Sequence, residues 1–127
     1  MFSHVMLGTD DVAASKTFYD AALGALGIPR GEIDELGRVV YVHDGGRFVV
    51  RTPLNGERSR GANGGTLGFQ ASSPEAVDKF HAAGRTAGGT SIEDPPGPRN
   101  ATGDRVLYLA YLRDPGGNKI CALHRLK

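Results

Sequence analysis

The chain has a single cysteine in 127 residues, so it can form no internal disulfide, and a reducing compartment is the natural expectation. It lacks any run approaching the ~20 consecutive apolar residues that a membrane-spanning helix needs. Its first residues, "MFSHVMLGTDD", are too briefly apolar and too poor in basic flanks for a secretion signal. An excess of charge of one sign is missing as well. The formal net charge is +1, with Lys and Arg scattered evenly, whereas a nucleic-acid surface gathers basic residues on one face. These absences predict a soluble, cytoplasmic protein with no nucleic-acid or membrane partner. The length allows one domain with one real core. What the chain does have is glycine, 19 residues of it, which suits tight turns between short strands.

The chain also resembles itself. Sliding it by 62 residues lays "HVMLGTDDVAASKTFYDAALGALG" (4–27) over "TLGFQASSPEAVDKFHAAGRTAGG" (66–89) without a gap. Each copy reads as a short strand (Phe2–Gly8, Thr66–Ala71), a capping residue (Asp10 or Asp11; Ser72 or Ser73) and a helix, with Phe18 over Phe80 and a glycine at the end. Pro74 falls early in the second helix, where proline is tolerated. Further on, "RVVYV" (38–42) matches "RVLYL" (105–109), and "GGRFVV" (45–50) matches "GGNKIC" (116–121). The pattern is βαβββ twice, an α+β fold. Module one covers about 1–53 and module two 65–127. Residues 54–64, within the polar and glycine-rich "TPLNGERSRGANGG" (52–65), read as a mobile linker.

A small sheet with a helix on one face needs cover on the other. Two such modules can curl their free faces into a mixed-sheet cup, a natural place for a small-molecule ligand. Alternation in the first strand puts Phe2, His4 and Met6 on one face and Val5 and Leu7 on the other. The purely apolar face belongs to the helix, so His4 and Met6 are expected in the cup. Thr66, Gly68 and Gln70 follow by the repeat, and Val50 and Cys121 correspond in the closing strands. A slip of one residue would turn Val5, Leu67 and Ile120 inward instead.

The paired βαβββ modules, the early His4 and the terminal "YLRDPGGNKI" (111–120) with the preceding "PPGPR" resemble the vicinal oxygen chelate superfamily. That group includes glyoxalase I, bleomycin-resistance proteins and extradiol dioxygenases, and the resemblance is to its glyoxalase-like branch. It implies metal ligands from the first and last strand of each half, here His4, Val50, Thr66 and Cys121. Only His4 is a usual ligand type. Cysteine ligates as the thiolate, and valine cannot ligate at all. Zn²⁺ needs three or four protein ligands. A site held by His4 and Cys121 alone is eroded as a centre for Zn, Ni, Mn or Fe, and no cofactor is the favoured expectation. The resemblance also implies a homodimer, which would bury apolar helix and sheet edges.

Among single residues, His4 is the candidate catalytic group, as metal ligand or base. Met6, Thr66, Gln70, Arg99, Tyr108 and Cys121 are candidate ligand-binding residues. Arg99 lies in "IEDPPGPRN" (92–100), a proline-stiffened segment that can present a guanidinium at small entropic cost. Its alternative role is a bond to the loop's own carbonyls. Tyr108 and Tyr41 either line the cup or pack in the core. Cys121 is either a small buried hydrophobe or, with Lys119 sharing its face, a reactive thiol. His124 falls on the opposite face from Cys121, while His43 and His81 are expected to be solvated. The Asp-Pro-Gly-Gly-Asn turn is read as structural. Two functions follow: a lyase or dioxygenase-type enzyme using His4, or a metal-independent protein that binds and sequesters a small molecule.

Overall fold

The computed structural model describes all 127 residues, Met1–Lys127. Module one runs β1 (Val5–Gly8), α1 (Val12–Gly24), β2 (Glu32–Ile33), β3 (Val39–His43) and β4 (Gly46–Arg51). Module two runs β5 (Leu67–Gln70), α2 (Pro74–Thr86), β6 (Thr90–Asn100), β7 (Val106–Arg113) and β8 (Lys119–Arg125). Each module forms a four-stranded mixed sheet, ordered β1-β4-β3-β2 and β5-β8-β7-β6. In both, the first strand lies parallel to the last and the other pairs are antiparallel. This is the βαβββ duplication in two curled, unclosed sheets. The longest elements are the two 13-residue helices, and neither is long and apolar enough to cross a membrane.

The helices start where short polar side chains can cap them. Asp11 accepts from Ala14 N at 3.0 Å, and Ser73 accepts from Ala76 N at 3.1 Å ahead of Pro74. Asp10, the alternative cap, instead accepts from Ser59 N at 2.6 Å. Phe18, Tyr19, Ala22 and Leu23 of α1 are buried, as are Val77, Phe80, His81 and Gly84 of α2. The two helices pack on each other through Phe18. A Cβ on Gly84 would come within 2.5 Å of Leu112 Cδ1 and 3.1 Å of Phe18 Cε1, so only glycine leaves room for that ring. One core of 15 buried residues results, drawn from both helices and from the helix-facing side of both sheets.

The two modules are locked together by the Asp114–Asn118 turn. Asp114 N donates to Asn118 O and Asn118 N to Asp114 Oδ1, at 2.9 and 2.8 Å. Beyond closing itself, the turn receives a 2.5 Å bond from the Tyr19 hydroxyl of α1 to Asp114 Oδ2. Asn118 Nδ2 also donates to Gly8 O of β1 at 2.8 Å. The segment expected to be a mobile linker is tied down at the same place: Ser59 Oγ donates to Gly116 O, and Gly61 lies against Gly117 O so closely that a Cβ there would clash at 2.6 Å.

The repeat holds less well after the helices than the sequence suggests. β3 and β4 are joined by Asp44 and Gly45 alone, both at positive φ (48° and 77°), the geometry of a two-residue hairpin. β7 and β8 are joined by the longer 114–118 turn. Met6 pairs with Val49 and Val49 with Val40, while Gly68 pairs with Cys121 and Cys121 with Tyr111. The structural counterpart of Cys121 is therefore Val49, and that of Tyr111 is Val40. Val50 is fully buried toward the helices, so its expected place in the cup is corrected by one residue.

Candidate functional site

Strand alternation sorts the side chains as expected on β1. Val5 and Leu7 pack against the core, and Met6 points to the open face. That strand begins only at Val5, so His4 and Phe2 precede it and are exposed; the His4 ring lies 2.8 Å from Ser3 Oγ through Nδ1. Thr66 likewise stands just before β5, exposed.

Cys121 sits on the open face of module two, in a small apolar cluster with Leu107 and Leu109, bordered by Tyr111 and Leu123. Opposite it Gly68 offers no side chain, which leaves the thiol room: a Cβ on Gly68 would be 3.3 Å from Sγ. Burial pushes the thiol pKa up to about 11, a trend that Lys119 opposes and Glu93 reinforces. At neutral pH Cys121 is a protonated hydrophobe, a weak ligand and a weak nucleophile.

Other candidates are spoken for. The Arg99 guanidinium donates to Gly97 O, Asp94 O and Pro95 O at 2.9 to 3.1 Å, clasping the bulge between Ile92 and Gly97 in β6. The proline-rich segment is thus part of a strand, and its arginine holds its shape. Tyr108 turns toward the helices rather than the cup; its hydroxyl donates to Asp78 of α2 at 2.8 Å. Tyr41 does the same in module one, to Asp20 at 2.9 Å. His81, expected to be solvated, is buried, and its Nε2 meets Ser91 Oγ at 2.9 Å; burial and then Arg85 lower its pKa. His124 does face away from Cys121, donating to Ala71 O.

Within the chain the expected cup is not one cavity. Thr66 lines clefts at the inter-module seam and the linker, whereas Gln70 lines others with Ala71 and Ser72. The helix-bearing faces meet in the shared core, and the open faces bearing Met6 and Cys121 belong to separate sheets. A divalent metal also finds no cage, since no three His, Cys, Asp or Glu side chains converge. Valine at position 49 offers no donor, and the Cys121 thiol is held protonated. The residues present do not fit such a metal.

Sequence reasoning missed part of the polar end of this face. Arg113 pairs with Lys119 across β7 and β8, on the same side as Cys121. The Lys119 ammonium pairs with Glu93 and lies 4.8 Å from the Tyr111 ring centroid. Alternation back from Cys121 had placed Lys119 on this face, but Arg113 needed the register of the hairpin.

Two mixed sheets, each with its helix on one side and an open face on the other, define a duplicated βαβββ architecture. The chain belongs to the Glyoxalase/Bleomycin resistance protein/Dioxygenase superfamily, whose model matches residues 1–122. It is similar over 98% of its length to a glyoxalase/bleomycin resistance protein from Albidiferax ferrireducens T118, at 56% identity, 99% coverage of that chain and a TM-score of 0.93. A glyoxalase-related enzyme from Fulvimarina pelagi shares the fold at 17% identity and TM-score 0.73, covering 97% of this chain and 86% of that one. So does a glyoxalase/bleomycin resistance protein/dioxygenase family enzyme from Burkholderia phytofirmans PsJN, at 22% identity and 0.69, with 95% of each chain covered. No curated protein matches the chain.

Proposed function

We propose that this protein binds a small molecule without a resident metal, on the open sheet faces, as the resistance-type members of its superfamily do. The observation that carries this reading is the ligand set. Of the positions where metal-using relatives are expected to place donors, only His4 bears a usual one, while Val49 is inert and Cys121 stays protonated. The cup is completed by a second copy of the chain. β1 and β5 each end their sheet with an unpaired edge, and Met6 and Val42 stand exposed on the open face of module one. Edges and apolar faces of this kind call for cover.

A lyase or dioxygenase-type activity is the second reading. It draws on His4, whose exposed ring contacts only a neighbouring serine and is free to serve a substrate as base.

Metal analysis of protein dialysed against a chelator-free buffer tests the metal-free reading. The expected content of Zn, Ni, Mn and Fe is well below one equivalent per chain. Stoichiometric metal that disappears in His4→Ala would overturn the metal-free reading.

A further inference from the structure

The linker and the terminal hairpin enclose a cleft of about 400 Å³ whose only apolar lining residue is Ala62. Three cationic side chains line it: Arg60 from the linker, Arg113 at the end of β7 and Lys119 at the start of β8. Neither arginine belongs to any of the chain's ion pairs. Arg113 spends one donor on Gly117 O at 3.0 Å, which leaves most of its five N–H groups free. Lys119 shares its ammonium with Glu93. The cleft therefore carries an excess of about two positive charges over the one carboxylate paired there, close in space on a chain whose net charge is only +1.

The rest of the wall is glycine-rich backbone. Gly61, Gly64, Gly65 and Gly117 contribute no side chains. The amides of residues 61–64 donate to no backbone acceptor, while Gly65 N closes the loop onto Ala62 O. Such a loop lets an anion approach peptide N–H groups directly. The cleft lies at the end of the open face of module two. Thr66 and Lys119 line it, and Lys119 lies two residues before Cys121 on the same side of β8.

We propose that this cleft binds the oxyanion head, carboxylate or phosphoryl, of a small organic ligand whose apolar body extends along β8 over the half-buried Tyr111 and Leu123. Arg60 and Arg113 supply charge-assisted donors, and Tyr111 and Leu123 take the remainder. This rests on the reading of the open face as a small-molecule site, and it adds the class of molecule: an organic anion.

The test is calorimetric titration of the full chain at low ionic strength with phenyl phosphate, benzoate and inorganic phosphate, and with phenol as the neutral counterpart. Phenyl phosphate or benzoate should bind saturably, at one per chain, and more weakly as NaCl is added. The stronger of the two identifies the head group as phosphoryl or carboxylate. Arg60→Gln should weaken that binding about tenfold with an unchanged melting temperature, because Arg60 is exposed. Arg30→Gln, an exposed arginine of module one, should leave it unchanged. Equal affinity in Arg60→Gln, or no saturable binding of any of the three anions, would overturn the anion site. Phenol binding equally to both proteins would remove that site while leaving the small-molecule reading intact.

Discussion

Cys121 shows how environment decides the role of a reactive atom. Its strand neighbours Ile120 and Ala122 are fully buried in the main core, and its own face is covered by Leu107 and Leu109. In that setting a thiolate is costly, and the pKa rises from 9.0 to about 11. Two consequences can be measured. Iodoacetamide should label the folded protein slowly at pH 7.5, and fast labelling would contradict the buried thiol. The stability effect has a definite sign. Below pH 9 the thiol is protonated in both states. Between about 9 and 11 the unfolded chain ionises while the folded one does not, so stability falls with rising pH, by about 2 kcal/mol from this group. Cys121→Ala loses packing worth about 1 kcal/mol at neutral pH but lacks this alkaline loss. The denaturation midpoints of wild type and variant should therefore converge, or cross, between pH 9 and 11, and parallel curves would refute the assignment.

The elements show which parts of the sequence were legible. The first strand and helix of each module were readable because both signals are local: alternation separates Val5 and Leu7 from Met6, and Asp11 and Ser73 cap their helices in place. The matching of later strands failed because it depends on hairpin length, which side-chain pattern does not record. The tight Asp44-Gly45 turn and the longer 114–118 turn shift one module against the other. Upstream of them the long β6 replaces the two-residue β2, so the similar strings "RVVYV" and "RVLYL" were aligned although the counterpart of Val40 is Tyr111. Arg99 and Tyr108 each had two roles open in the sequence. Arg99 turns to carbonyls two to five residues away, whereas Tyr108 turns to Asp78, thirty residues away and beyond the reach of local pattern. The helix–helix contact was equally hidden, because nothing local distinguishes Gly84 from a glycine that merely weakens a helix. Its role yields a prediction: Gly84→Ala gains helix propensity but forces a Cβ to 2.5 Å from Leu112 Cδ1. Overpacking should win, destabilising the protein by about 1–3 kcal/mol in chemical denaturation. A stabilised variant would show that the α1–α2 contact can relax.

At the scale of the whole molecule, one core serves both modules while the open sheet faces are left outside it. Tyr19, Asp114, Asn118 and Gly8 tie the modules into a single body, so the two sheets do not reorganise around a ligand independently. Removing that tie with Asn118→Ala takes away the bonds to Gly8 O and to Asp114. A cost of about 1–3 kcal/mol in a single cooperative unfolding transition is expected, whereas two separated transitions would mean that the modules fold independently.

The same arrangement bears on assembly. The open face of module one carries Met6, 41% exposed, and Val42, 58% exposed, beside the unpaired edge of β1. These side chains add nothing to the core of the single chain, so replacing them should spare its folding. In the proposed homodimer they are covered by the partner copy, where a lysine ammonium would be buried without a counter-ion. Multi-angle light scattering should therefore find about twice the chain mass of 13.4 kDa for the wild type, and the mass of one chain for Met6→Lys combined with Val42→Lys. The variant should keep its far-UV circular dichroism and most of its thermal stability as a monomer. A wild-type protein that is monomeric at micromolar concentration would remove the shared cup and leave each open face to bind its ligand alone.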